Sequence, residues 1–175
     1  MELYGKLLNI TVPFFLFFFL VEKIAEWRKG LNVIRGLDSV SSFSSGMTNV
    51  VKDVLGIGIT ILTYSWLVDN IALIHIKATI LTYIIAFLVI DFQGYWVHRW
   101  CHKINFFWNY HIIHHSSEEF NLSCALRQSI SNFINFFTFL LVPAALLGVP
   151  KEVIGIVAPL HLFLQYWYHT QLIGK

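Results

Sequence analysis

Five of the chain's eight histidines fall within eighteen residues, as His98-Arg-Trp-Cys-His102 followed by His111-Ile-Ile-His114-His115. Neutral imidazole is the commonest protein metal ligand and suits zinc, copper, iron and nickel. Residues three and four apart share a helix face, so His98 points with His102, and His111 with His114 and His115. Two such faces brought together could hold two metal ions. One histidine near a membrane surface would pass as an interfacial polar residue; five at spacings of four, nine, three and one point to ligation. Other site chemistries lack their residues. The sequence has no HExxH of a zinc peptidase, no Glu-x-x-His of the soluble di-iron bundles, no Gly-rich phosphate loop and no GxSxG elbow.

The elements that must position these side chains are apolar. The chain is 57% hydrophobic and 17% aromatic, with 13% charged residues, about half the charged fraction of a soluble domain. Such a surface asks for a bilayer. Apolar stretches run over about 4–22, 54–76, 79–97, 132–148 and 152–168. Several approach the roughly 20 residues that cross a membrane. The last two, joined at Gly148-Val149-Pro150, are shorter and could form a hairpin. The first stretch has no cleavage site after it and reads as a retained span. Glu22 to Arg35 reads as an amphipathic interfacial segment or a solvated loop, and the Ser- and Gly-rich Asp38 to Asn49 as a loop. The expected fold is all-α: an integral membrane bundle of four to five spans, with residues 1–78 as N-terminal spans and 79–175 as the domain bearing the histidines. With the N-terminus outside, nine Lys and Arg fall inside and three outside. That distribution puts the cluster on the cytoplasmic face, with His169 beside it and His75 opposite. A net charge of +2 gives no case for nucleic acid. Cys101 and Cys124 form no framework and read as semi-buried thiols.

Asp91, Tyr95, His98 and His102 share one stripe of the third span. An ionisable residue within a span is costly, and Asp91 could orient a ligating imidazole or pair with Arg99. Ser116 with Glu119 fits a capping box that would start a helix over Leu122 to Ser129. Arg127 and Gln128, just ahead of an apolar run, could anchor at the lipid interface or meet a substrate head group. His169 could join the metal site. His161, eight residues earlier and roughly 12 Å along a helix axis, reads as a buried or cavity residue.

The pattern His98-x3-His102 then His111-x2-His114-His115 resembles the fatty acid hydroxylase/sterol desaturase superfamily of membrane di-iron enzymes. The string Phe107-Trp108-Asn-Tyr-His111-Ile-Ile-His114-His115-Ser116-Ser117-Glu118-Glu119-Phe120-Asn121-Leu122-Ser123, with Ala125-Leu126-Arg127-Gln128-Ser129 and Tyr166-Trp167-Tyr168-His169-Thr170, is most similar to the alkylglycerol monooxygenase-like branch and its bacterial members. The resemblance covers residues 91–170. It implies O2-dependent hydroxylation or desaturation of a lipid (fatty acyl, sterol or ether lipid) at two irons. Electrons would come from a separate ferredoxin, cytochrome or reduced pterin donor. It implies His98, His102, His111, His114, His115 and His169 as iron ligands. Asp91, Glu119 and Asn121 become candidates to support them, and Arg127, Gln128 and Trp108 candidates to meet substrate or interface. The host membrane would be a bacterial inner membrane, or endoplasmic reticulum in a eukaryote.

Two departures bear on function. The family carries a further HxxHH downstream of His169, whereas this sequence stops at Ile173-Gly174-Lys175. Six histidines fall short of a two-iron site with eight or more ligands, so the chain is expected to be C-terminally truncated and inactive as it stands. Glyceryl-ether enzymes also carry an acidic residue directly after the second histidine, where this chain has Lys103. Alternatives from other classes stay open: a non-catalytic, metal-binding membrane member of the family, or a haem-binding electron carrier, against which the tight HxxHH spacing argues. Zinc would also bind such a site but could not cycle electrons.

Overall fold

The computed structural model describes residues 2–57, 59–130, 134–135 and 137–173, with side chains from residue 12 onward except around 58–60 and 134–135. Lys6 and Lys175, which enter the charge count, and the start of the 132–148 stretch lie outside the described side chains. The regular elements among the described residues are helices, apart from a two-residue parallel bridge that pairs β1 (Ile59–Thr60) with β2 (Ile134–Asn135). The chain divides into two compact units, Met1–Ile57 with Tyr110–Ser131 and Tyr166–Lys175, and Gly58–Asn109 with Asn132–Gln165.

In the first unit, α1 (Glu2–Lys29) carries the aromatic run onto the C-terminal segment. Phe15 meets the Tyr166 ring edge-on at 4.6 Å, and Phe18 meets Trp167 in the same way at 4.6 Å. The Glu22–Arg35 interval is therefore no surface loop in its first half. It extends α1 and buries Glu22 and Glu26, one turn apart on one face. The Glu26 carboxylate accepts the Ile34 N–H at 2.8 Å, so the buried charge closes the turn after the helix.

The expected Asp38–Asn49 loop is also helical, within α2 (Gly36–Val54). Its small residues explain why. Ser39, Ser42 and Gly46 recur at helical spacing, and Ser39 and Ser42 are buried. A Cβ on Gly46 would stand 3.2 Å from the Leu126 Cβ, so the backbone of α2 approaches the Leu122–Leu126 3-10 turn closely. Ser42 and Thr48 return their hydroxyls to the carbonyls of Asp38 and Ser44, the helix-compatible way to satisfy such side chains.

The second unit is built around α4 (Ile80–Lys103), which a Thr79–Thr82 capping box starts. Ala86 and Ile90 of α4 pack with Leu141, Ala144, Val149, Val153, Ile154 and Val157. The last six come from the 3-10 turn Phe137–Leu141, α6 (Val142–Leu146) and α7 (Lys151–Tyr166) with the turn that precedes it. Tyr64 of α3 (Tyr64–Ile71) donates its hydroxyl to the Val149 carbonyl at 2.8 Å. Gly148, at φ +61°, lies so close to Ile74 that a Cβ would come within 2.0 Å of its carbonyl oxygen.

Among the described residues, α4 is the one helix both long and apolar enough to cross a membrane. Its Ile80, Leu81, Ile84 and Leu88 are exposed, as a lipid-facing surface would be. The 54–76 stretch, apolar enough to suggest a span, folds instead as the bridge, the eight-residue α3 and open chain. Gly56, Gly58 and the β-branched run from Ile57 to Thr63 give it poor helix propensity.

Candidate metal centre

The C-terminal turns of α4 present His98 and His102 on one face, with their Nε2 atoms 3.0 Å apart. Four-residue spacing on a helix brings this about without help from elsewhere. Arg99, between them in sequence, turns aside to donate to the Tyr95 hydroxyl at 2.7 Å. Trp108 of α5 (Asn105–His111) lies with its ring 5.5 Å from that of His102. Trp108 thus walls a candidate ligand.

In the other unit, the chain leaving α5 forms a 3-10 turn at His114–Ser116. His111 and His115 face each other through Nε2 at 3.2 Å. His114 Nε2 faces His169 Nε2, also at 3.2 Å, and Phe120 stacks on the His169 ring. A metal ion with bonds of 2.0–2.1 Å holds neighbouring nitrogens about 3.0–3.4 Å apart. Facing Nε2 atoms at these distances can share either one proton or one cation.

The outer nitrogen of His114 decides which tautomer it holds. Its Nδ1 lies 3.1 Å from the Arg127 carbonyl oxygen, which only accepts. The proton therefore sits on Nδ1 and the lone pair on Nε2, the arrangement a ligating imidazole needs. An imidazole so oriented, with the other imidazoles at these spacings, fits a transition metal such as iron, and equally zinc.

Arg127 is no interfacial anchor. It is 5% exposed. Its guanidinium donates to Asp38 Oδ1 at 2.6 Å, to the Asp38 carbonyl at 2.8 Å, to Ser42 Oγ at 3.1 Å and to Ser116 Oγ at 3.3 Å. Burial alone would raise the Asp38 carboxyl. The Ser117 hydroxyl and the Arg127 guanidinium outweigh it and hold the group below its ordinary value of 3.8. Gln128 is exposed and uses its backbone, exchanging hydrogen bonds with Ser45 Oγ at 2.9 and 2.6 Å.

The expected Ser116–Glu119 capping box does not form. Ser116 donates to the Ile113 carbonyl, and Ser117 to Asp38 and the Glu119 carbonyl. The cap is Asn121, fully buried, whose side chain accepts from the Ser123 N–H at 3.0 Å and donates to the Val33 carbonyl at 2.9 Å. Glu119 with Glu118 instead pairs with Arg35. Asp91 bonds neither Arg99 nor a ligand candidate. Its Oδ1 meets Nε2 of buried His161 at 2.9 Å, across Gly94. Both cysteines are buried.

Sequence reasoning missed Asp38, Ser42 and Ser117, and with them Glu22 and Thr170, which hydrogen-bond at 2.5 Å. The helical spacing of Ser39, Ser42 and Gly46 was the available signal.

A helical chain that has, among its described residues, one apolar helix of crossing length and imidazole pairs at ligand spacing is compatible with a membrane protein that carries a metal site. More narrowly, residues 83–175 match the family model described as fatty acid hydroxylase, and the chain belongs to that family. It is 33% identical over 170 residues to an alkylglycerol monooxygenase of Danio rerio, across 96% of this chain and 38% of the relative. It is 34% identical to those of Homo sapiens and Xenopus tropicalis, across 94% of this chain and 37% and 36% of theirs. The chain thus spans well under half the length of these relatives. No solved structure matches it.

Proposed function

We propose that the protein is a membrane-bound non-haem di-iron oxygenase that uses O2 to hydroxylate or desaturate a lipid. The observation that carries this reading is the set of three facing imidazole pairs, at 3.0, 3.2 and 3.2 Å, in a chain of the fatty acid hydroxylase family. His98, His102, His111, His114, His115 and His169 would hold the irons. When bound, they would supply the reduction of O2 that attack on an unactivated C–H bond requires.

Hydroxylation would insert one oxygen atom of O2 into a C–H bond and reduce the other to water. That balance takes two electrons and two protons from a separate donor of ferredoxin, cytochrome or pterin type. The chain's own residues have simpler tasks. His114 keeps its Nδ1–H on the Arg127 carbonyl, so its Nε2 lone pair would be free to hold an iron. Trp108 and Phe120 flank His102 and His169 with apolar rings, which excludes water from one side of each.

The relatives' name points to glycerol ethers as the substrate class. Lys103, where glyceryl-ether enzymes are acidic, sits in the last turn of α4, where a cation complements the helix dipole. We place the histidines on the cytoplasmic side of a multi-pass protein, where lipid tails arrive through the bilayer and electrons and protons from the aqueous side.

Iron content of the purified protein and lipid-dependent O2 uptake test the reading. In a form that also carries the family's further HxxHH, two irons per chain and uptake that requires an added lipid are expected, both lost in His114→Ala. Full iron content in His98→Ala and His114→Ala would sink the ligand assignment.

A further inference from the structure

Helices α1 and α2 precede residues 83–175, the part matched to the family. Each nevertheless sends a carboxylate, buried at Glu22 and largely buried at Asp38, to a segment that bears a candidate ligand. Glu22 of α1 is 2% exposed. One of its oxygens accepts the Leu122 N–H at 2.7 Å, and the other accepts the Thr170 hydroxyl at 2.5 Å. Thr170 directly follows His169, and its hydroxyl oxygen also accepts the Leu172 N–H at 3.2 Å. Glu22 therefore fixes the backbone on which His169 stands.

Asp38 of α2 does the same for His114. One oxygen accepts from Arg127, whose carbonyl receives His114 Nδ1, and the other accepts from Ser117, three residues beyond His114. The His114 segment is thus gripped at the ring and at the Ser117 side chain.

Stability alone does not account for these groups. A buried ion pair replaced by apolar side chains of similar volume often leaves a protein as stable or more so. What apolar packing cannot do is hold two particular imidazoles face to face when they are 55 positions apart in sequence. We propose that Glu22 and Asp38 are positioning residues, holding the His169 and His114 rings at metal-ligand spacing. The inference rests on the reading of His114 and His169 as ligands.

The test is Fe(II) and Co(II) titration of the purified protein in detergent, with the visible Co(II) absorption bands and the apo-protein melting temperature recorded beside it. Glu22→Gln and Asp38→Asn keep shape and remove charge. Each is expected to weaken metal binding about 10- to 100-fold, as loss of a group that orients a ligand does, and to shift the Co(II) bands, which a change in stability alone would not move. Should either variant fail to fold, Thr170→Val and Ser117→Ala each remove a single hydrogen bond to the same carboxylates, with a several-fold loss expected. His114→Ala separates the two ideas. If it binds metal like the wild type, the ligand reading fails. If it loses metal while the carboxylate variants, or their substitutes, keep wild-type affinity and spectrum, the positioning role is overturned.

Discussion

Replacing Arg127 by Met tests whether α2 and the Leu122–Leu126 turn are joined by charge. The substitution keeps the aliphatic stem and deletes four hydrogen bonds, one of them the ion pair to Asp38, whose partners are 6% and 9% exposed. It leaves the Asp38 carboxylate buried with the Ser117 hydroxyl still on it. Removing one member of a buried pair costs about 3–5 kcal/mol, chiefly because the other is stranded. At 1.4 kcal/mol per tenfold, local opening should rise roughly 150- to 4,000-fold. Hydrogen exchange read by mass spectrometry on peptides spanning 36–54 and 121–127 reports such opening directly. Adding Asp38→Asn to Arg127→Met removes the stranded charge, so the double variant should regain about 2 kcal/mol or more. A single variant that opens by less than about 1 kcal/mol, or a double variant as open as the sum of the singles, would refute the account.

Gly148→Ala should be among the most damaging single-methyl additions, since the new Cβ would fall 2.0 Å from the Ile74 carbonyl oxygen at φ +61°; a melt in detergent should drop by several degrees or the protein should not accumulate. The folded Asp38 and Glu26 carboxyls lie below their ordinary values of 3.8 and 4.5, so the stability they lend is full above about pH 5 and drains as the pH falls through the folded values. Melting temperature against pH should show this acid limb, shallower in Asp38→Asn. His161→Leu strands Asp91, which is 65% exposed but on an apolar helix. It should cost at most about 1 kcal/mol, regained when Asp91→Leu is added, as read by the same melt.

How much was legible in the sequence follows from the range of the interactions. The facing of His98 with His102 was legible because its four-residue spacing on one helix is a local property. Helix α4 was legible because 24 residues of apolar character leave little else for it to be. Helix α2 reads as a loop because Ser and Gly are rated by what they do in isolation. Here the same small side chains let Gly46 approach Leu126, and the pair that anchors the helix joins residues 89 positions apart. Arg127 misled for the same reason: polar residues ahead of an apolar run suggest an anchor, and only the fold brings Asp38 to it. The 54–76 stretch failed in the opposite sense. Its hydropathy was real, but hydropathy sets where a segment is buried, while its glycines and β-branched residues decide against one long helix.

The imidazole pairs divide along the same line. His98 and His102 are four apart within α4, so a single helical turn creates that pair, while His111 and His115, also four apart, meet across the short break between α5 and the His114–Ser116 turn. His114 and His169 are 55 apart and depend on every contact that holds the His114–Ser116 turn, the Leu122–Leu126 turn and the Trp167–His169 turn in register. Among the described residues these include the polar contacts of Arg127 on Asp38, Glu22 on Leu122 and Thr170, and Asn121 on Val33, beside ring contacts such as Phe18 on Trp167 and Phe120 on His169. A local pair persists wherever its helix persists, and such a pair alone offers two nitrogens of one orientation. A long-range pair can be brought in from another direction, as coordination around a metal requires. Helices α1 and α2 contribute no candidate ligand, yet they supply Glu22 and Asp38 to hold that pair. This gives a chain whose candidate ligands lie in residues 98–169 a physical need for the residues before them.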